Sequence, residues 1–472
     1  MAIFASNIIT SDSALGSAKI QKSLRFNSGD SSYLYRTPSS ASNRKTWTFS
    51  TWLKSTDPAN GSYQTFFSTN NSSNYSLNGT YLWLYTTGEL GLSIGSGTYY
   101  LKTTAKFRDP ICWYHVVGYV DTTQGTASDR VKLYVNGEEQ TDFINATYPT
   151  QDYNTQINNT TQHTVGARRY SSIDTYFNGY LAETNFIDGQ ALDASYFGFT
   201  DPQTGIWMPK RYEGTYGTNG FYLDYSDNSS TAALGIDKSP NGNDFTANNF
   251  SVSAGVGNDS LLDTPTNNFC TLNPLSLTAT GANILNGNLD YKSDSNYSIA
   301  AGNFTLKTGK WYWEVTITAA MSGSNGQVNG IVRGEHPNSN AYVSYDTNGN
   351  VYGIGYVYNG TIQGASPDGS TNAPGGASGL ATYTEDDVLG FASDIANGTL
   401  ALYKNGSLQH TITGLNSYDW FPAGSGYGTS STNSFNFGQR PFVYTPPSGF
   451  KALSTKNLLP NVPSIIRPQK HF

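Results

Sequence analysis

The chain has 472 residues, of which only 13% are Asp, Glu, Lys or Arg. Its 27 basic and 34 acidic side chains leave a formal net charge of −7 with no basic run, which excludes nucleic acid as a partner. No apolar stretch approaches a membrane span, so membrane insertion is excluded too, and two cysteines (Cys112 and Cys270, read as buried thiols) are too few for a disulfide framework. The 49 glycines, 34 tyrosines and 23 phenylalanines, among abundant Asn, Ser and Thr, predict an all-β fold with many turns. The length supports two or three domains, each with its own core.

Residues 1–20 read as a polar N-terminal arm with one small apolar patch, Ile3, Phe4, Ile8 and Ile9. It has neither the basic start nor the sustained apolar core of a secretory signal. The expectation is therefore a protein kept in the cytoplasm that makes it, or released from there within an assembly. The apolar patch suits docking on a neighbour. Strand patterns begin at Lys22 and recur at 24–26, 33–35, 47–53, 66–67, 81–85 and 90–94, separated by Asn/Ser/Gly turns. Residues 111–137 give the clearest signal: Trp113, His115, Val117 and Tyr119 alternate with Tyr114, Val116 and Val120. Val131, Leu133 and Val135 form the return strand, and Asn136-Gly137 supplies a turn that tolerates positive φ. The device returns at 388–391 and 400–406, where Asn405-Gly406 is the turn. Two β-sandwiches are predicted.

The segments SLRFNSGDSSYL, WTFSTWLKS, CWYHVVGYVD, RVKLYVNGEEQ and NGYLAETNFIDGQAL, in that order, resemble the laminin-G-like, concanavalin A-like jelly roll. The closing strand has Ala182 where that family often has Asp. This resemblance implies a lectin-like domain over 21–200. Residues 201–269 contain few long strands and much Asn, Asp and Gly; they are similar to the connector after the lectin-like module of phage virion proteins. From Cys270, GKWYWEV, DDVLGFASD, NGTLALYKNG and SFNFGQRPFVYTPPSGF resemble a SPRY domain, implying a second sandwich over 270–457. Residues 458–472 read as a proline-spaced tail.

Glycosidases of the jelly-roll superfamily present paired carboxylates as E-x-D-x-E on one strand. Here Glu183 is followed by Thr184, Asn185 and Phe186, with Asp188 beyond, so no catalysis is expected. His115 reads as a hydrogen-bonded sandwich histidine, and His163, His336, His410 and His471 lack zinc-ligand spacing. Calcium is the one metal with a candidate donor set, Asp224, Asp227, Asp237, Asn243 and Asp244; such residues also cap their own turns. No other cofactor is indicated. Tyr99, Tyr100, Tyr153, Tyr170, Tyr176, Tyr212 and Tyr216 fall in Gly/Ser/Asn-rich surroundings, a composition suited to stacking on sugars or to filling subunit contacts. The sugar-binding candidates are Tyr99, Tyr100, Tyr170 and Tyr176.

The resemblances together imply a non-enzymatic phage virion protein of tail-fibre or adhesin type that binds host surface polysaccharide. They further imply contact with other virion proteins through the N-terminal arm and a homo-oligomer, a trimer first. A head-fibre or capsid-decoration protein is the alternative, and a polysaccharide-degrading jelly-roll enzyme the third reading.

Overall fold

Period-two alternation becomes antiparallel strand pairing almost throughout. The computed structural model describes residues 18–58, 61–70, 79–202, 204–277, 282–293, 298–319, 327–334, 343, 352–364, 377–426 and 431–458. Among them there is no α-helix, only short 3₁₀ turns. Most of the expected arm (1–17), most of the expected tail (459–472), His336 and His471 lie outside the described residues. The described chain divides into two units. One runs to Ser253 and takes in Gly257–Asn267; the other comprises Ala254–Val256 and the residues from Asn268 onward.

The first unit contains two eight-stranded sheets. The first sheet runs Glu138–Glu139, Val131–Val135, Tyr114–Asp121, Thr46–Ser55, Gly179–Asp188, Ser23–Phe26, Ser260–Leu261, with Phe221–Leu223 also paired to Gly179–Asp188. The second runs Phe143–Thr147, Tyr99–Lys106, Glu89–Ile94, Thr80–Leu84, Gln64–Thr69, His163–Val165, Tyr33–Arg36, Thr246–Asn248. Leu24, Phe49, Leu53, Val116 and Val120 from one sheet and Phe67, Leu82, Leu92 and Leu101 from the other form a common core. Phe49 stacks on Phe67 with ring centroids 4.4 Å apart. The alternation at 114–120 thus points as the sequence predicts.

Of the described residues in 201–267, all but Ala254–Val256 are integrated in this unit. They supply Phe221–Leu223 and Ser260–Leu261 to the first sheet and Thr246–Asn248 to the second. Phe221, Leu223, Tyr225, Leu234, Phe245 and Phe250 lie in the core. Two buried ion pairs fasten the segment. Arg25 meets Asp259 at 2.9 Å, and Lys54 meets Asp263, both fully buried. Trp113 donates its indole N–H to Asp263 at 3.2 Å, and the Lys54 ammonium lies 5.1 Å from the Tyr180 ring centroid. The difference from a connector has a physical cause: the strands are too short for alternation to show, and their charges are buried rather than solvated.

In the second unit one sheet runs Asn283–Leu285, Asp290–Lys292, Thr432–Asn436, Trp311–Ala319, Val388–Asp394, Thr399–Lys404, Ser407–Ile412. Lys451–Ala452 adds a parallel pairing to Trp311–Ala319. The other sheet runs Ser298–Ala301, Trp420–Gly426, Val328–Arg333, Gly353–Val357, Ile362–Gly364. Trp313 stacks on Phe391 at 5.2 Å. The Glu314 carboxylate accepts the backbone N–H groups of Val443 and Tyr444, both at 2.8 Å, which ties the start of the YTPP segment to the central strand Trp311–Ala319.

Both Asn-Gly turns adopt the left-handed backbone their sequence predicts, with φ of 50° and 83° at Asn136-Gly137 and 48° and 76° at Asn405-Gly406. In each unit the Asn side chain accepts an N–H from the start of the partner strand, that of His115 at 2.8 Å and of Val388 at 2.9 Å. A Cβ on Gly137 would lie 2.4 Å from the Trp207 ring, and one on Gly406 would lie 2.6 Å from Tyr444. Gly137→Val or Gly406→Val is therefore expected to cost ~1–3 kcal/mol, read as a lower melting temperature of the affected unit; unchanged melting would refute the turn assignment.

Removing one member of the Lys54–Asp263 pair leaves a charge in the interior. Asp263→Ala is expected to lower stability by ~3–5 kcal/mol in chemical denaturation, and the double change Lys54→Met with Asp263→Leu to recover most of it. Equal losses in the single and double variants would show that the pair is not what holds this segment.

Candidate functional site

The two sheets of the first unit have different outer faces. The first sheet is apolar there as well. Val117, Tyr134 and Ile187 pack against Leu192, Ala194, Phe197 and Tyr216, so the chain after residue 191 covers that face. His115 is the polar fastening under the cover. Its Nδ1 accepts the Trp207 indole N–H at 3.1 Å, so the proton sits on Nε2, 2.9 Å from the Ser50 hydroxyl. The imidazole also stacks on Trp207 and lies 5.0 Å from the Trp52 ring. This is the hydrogen-bonded histidine the sequence predicts.

The outer face of the second sheet is lined with aromatic rings. In Thr80–Leu84, Leu82 and Leu84 turn inward, which sends Tyr81 and Trp83 out, with Tyr85 beyond the strand end. Tyr81 and Trp83 stack at 5.3 Å. Tyr63, 40% exposed, meets Trp83 at 5.0 Å and Tyr85 at 5.4 Å. Glycine at 91 makes this possible, because a Cβ there would lie 2.4 Å from Tyr85 and 2.7 Å from the Trp83 indole nitrogen. The rings lie across the neighbouring strand rather than standing upright on it.

Charged groups flank the rings. The Lys102 ammonium sits 4.4 Å from the Tyr85 centroid and 3.6 Å from the Glu89 carboxylate, which Lys106 approaches at 3.4 Å. Burial pushes the Glu89 pKa up, but the Thr87 hydroxyl, its own backbone N–H and the two lysines outweigh it, and the net direction is down. Burial pushes the Tyr85 hydroxyl up to about 12. At the other end Arg168 makes a paired contact with Asp174 (2.7 Å for each N–H) and lies over Tyr170 at 5.0 Å. Rings with flat accessible faces, interleaved with groups that donate and accept hydrogen bonds, can hold a sugar chain by its C–H faces and hydroxyls.

Three of the four tyrosines proposed from sequence belong to this face. Tyr100 precedes Lys102 by two residues on Tyr99–Lys106, Tyr170 lies on Arg168, and Tyr176 meets Tyr33 at 6.2 Å. Tyr99 does not. It points into the sandwich and packs edge-on against Tyr153 at 5.2 Å. Neighbours on a strand face opposite ways, so Tyr99 and Tyr100 cannot serve one surface. Tyr63, Trp83 and Tyr85, which the same face presents, were not among the candidates, although alternating aromatics at 81, 83 and 85 are legible in the sequence.

The five calcium candidates do not fit a cation. Asp237 accepts four donors, the N–H groups of Tyr222, Ser239 and Asn243 and the Ser239 hydroxyl, all at 2.7–2.8 Å. Asp244 accepts Asp237 N–H, Asp227 accepts Ser229 N–H, and Asp224 accepts both donors of Ser226. The Asn243 side-chain oxygen faces the Arg36 guanidinium. These oxygens cap turns, and among the described residues no group of three His, Cys, Asp or Glu side chains could hold a metal. Neither Cys112 nor Cys270 forms a disulfide.

Sequence comparison agrees with the sandwich seen here. Residues 27–195 match the concanavalin A-like lectin/glucanases superfamily profile. A search of curated protein sequences returned no match. Solved structures similar to the chain include the SPRY domain of human HERC1, at 15% identity over 35% of this chain and 96% of that one, TM-score 0.27. The native heptameric SAP-like pentraxin from Limulus polyphemus matches at 16% identity over 37% and 79%, TM-score 0.26. The TRIM65 PSpry domain matches at 16% over 36% and 89%, TM-score 0.28.

Two buried histidines, His115 under the cover and His163 in the second sheet, make the first unit acid-sensitive. Burial lowers His115 from 6.5 to about 3 and, as the largest cause, His163 from 6.5 to about 4. Below the ordinary value the unfolded chain binds these protons while the folded chain does not, so stability falls as pH drops. The loss begins near pH 6.5 and continues toward the folded values, at ~1.4 kcal/mol per pH unit for each histidine. His115→Gln is expected to flatten the plot of melting temperature against pH across that window; an unchanged slope would remove His115 as the cause.

Proposed function

We propose that the chain is a non-enzymatic glycan-binding protein that serves as a virion adhesin of tail-fibre type, gripping polysaccharide on a bacterial host surface. The observation that supports this reading is the aromatic face of the second sheet, on which Tyr63, Trp83 and Tyr85 form one contiguous row beside Lys102 and Glu89. The lectin superfamily match over residues 27–195 gives the same direction, since lectins and glucanases of this kind both take sugars. Binding rather than hydrolysis is proposed because the strand at Glu183 lacks the paired-carboxylate pattern of jelly-roll glucanases. An open face without a deep cleft suits repeating units inside a chain. The second unit, proposed as a SPRY-like sandwich, and the N-terminal arm would serve assembly into a homo-oligomeric fibre.

The test is binding of the purified chain to host envelopes and to polysaccharide extracted from them. Trp83→Ala and Tyr63→Ala are each expected to weaken polysaccharide binding about tenfold, ~1.4 kcal/mol, with melting temperature changed little for Tyr63→Ala. Release of reducing ends would instead support a glycan-degrading enzyme. Absence of any binding, even by the assembled oligomer, would sink the adhesin reading and leave a head-fibre or decoration role.

A further inference from the structure

A second feature of the lectin unit lies on its other sheet. At Glu183 the strand Gly179–Asp188 breaks register with Thr46–Ser55, the shift falling between Ala182 and Asn185. Glu183 occupies the bulge with φ of +50°. That left-handed backbone suits Gly or Asn, and a glutamate gains nothing locally from it. Bulges re-aim side chains, and strained backbones gather at ligand sites. Here the bulge turns Glu183 into a cavity of about 300 Å³ that Asn185, Tyr212, Tyr216 and Tyr222 also line.

The polar groups of the cavity are held in place by one another. Tyr222 donates its hydroxyl to Glu183 at 2.6 Å, and Tyr216 donates to the Asn185 side-chain oxygen at 3.0 Å. Burial, reinforced by the neighbouring Glu183 carboxylate, raises both tyrosine hydroxyls, so each keeps its proton and remains a donor. The Tyr212 ring is fixed by stacking on Phe197 at 5.3 Å and by an edge contact with Tyr216 at 5.2 Å. Two carboxylates, Glu183 and Glu213, and two cations, Arg211 and Lys238, line the space, so its charges balance.

We propose that this cavity is a second saccharide site, separate from the aromatic sheet face, that takes a single neutral sugar ring at the end of a chain. The volume is at the lower end for ligand pockets, which fits one ring rather than an oligosaccharide. Balanced charge selects against acidic and amino sugars. An oriented carboxylate and amide offer acceptors to neighbouring hydroxyls, and the tyrosine rings offer a surface to the apolar face of the sugar. The sheet face then holds chain interiors and the cavity reads chain ends.

The test titrates the full chain with methyl glycosides of neutral hexoses, with methyl glucuronoside and glucosamine as charged controls, followed by saturation-transfer NMR and calorimetry. At least one neutral methyl glycoside is expected to bind saturably. Glu183→Gly and Tyr222→Phe should each weaken that binding at least about tenfold, while Trp83→Ala leaves it intact. Glu183→Gly relieves the left-handed backbone but removes the acceptor of the Tyr222 hydroxyl, so its melting temperature should change little. A residue kept only for structure would show the reverse, lower melting and unchanged binding. The proposal is overturned if no neutral glycoside binds the full chain, if the charged controls bind more tightly, or if binding survives in Glu183→Gly. Should that variant not fold, Tyr222→Phe, which removes one hydroxyl, decides by the same criterion. Loss of polysaccharide binding in Trp83→Ala with glycoside binding retained separates the cavity from the sheet-face site.

Discussion

A sheet that is apolar on both faces must be covered on both, and the first sheet of the first unit is such a sheet. Val116 and Val120 face the sandwich core while Val117, Tyr134 and Ile187 face outward. Leaving the outward set in water would forfeit roughly 1.5–3 kcal/mol for each large side chain. The chain therefore continues past the jelly-roll strands and folds Leu192, Phe197, Trp207 and Tyr216 over that face. The cover needs polar fastenings that survive burial, and the Trp207–His115–Ser50 series provides one. It also supplies two walls of the cavity at Glu183, Tyr212 and Tyr216, while Tyr222 comes from the strand paired beside Glu183. The outward positions of the second sheet instead hold amphipathic residues such as Trp83, Tyr100 and Lys102.

The strands and both Asn-Gly hairpins were legible because their signals are local. Alternation over seven or eight residues, followed by a turn residue that tolerates positive φ, is a complete instruction without tertiary context. The integration of most of residues 201–267 in the first unit was not legible for the opposite reason. Ser260–Leu261 and Phe221–Leu223 are held by partners more than thirty positions away, at Ser23–Leu24 and Thr184–Phe186. Asp259 and Asp263 look like solvated loop acids until Arg25 and Lys54, more than two hundred residues earlier, are brought beneath them.

The sugar-binding candidates divide on the same line. Tyr100, Tyr170 and Tyr176 were proposed from composition, which reports that aromatics exceed what a core can absorb, and composition cannot say which of two adjacent rings points out. Tyr99 and Tyr100 show the consequence, one packed on Tyr153 and the other beside Lys102. Trp83 and Tyr85 were hidden by the opposite error, since a run of large apolar residues reads as core. Yet Leu82 and Leu84 already fill the inward positions, so the rings between them had to face outward. The Asp and Asn residues considered for calcium illustrate a different limit. A carboxylate has about four acceptor positions, and Asp237 fills them with N–H and O–H groups of its own loop. Sequence shows that oxygens are concentrated; only the fold shows that they are already satisfied.

A flat aromatic face and a one-ring cavity share a physical limitation. Neither encloses enough ligand to bind tightly, and a single millimolar contact is worth only about 4 kcal/mol. Adhesion to a surface then depends on how many contacts can be made at once, because a second contact on the same fibre is intramolecular and draws on an effective concentration instead of a bulk one. On the proposed reading, repetition of the chain is part of the binding mechanism. An open face also accepts repeating units in any register, so neighbouring copies need not align to a common position on the polysaccharide. A cavity that accepts only chain ends would be occupied less often but at defined points. The two sites would thus divide the work of adhesion, the sheet face supplying frequency of contact and the Glu183 cavity supplying discrimination between glycans.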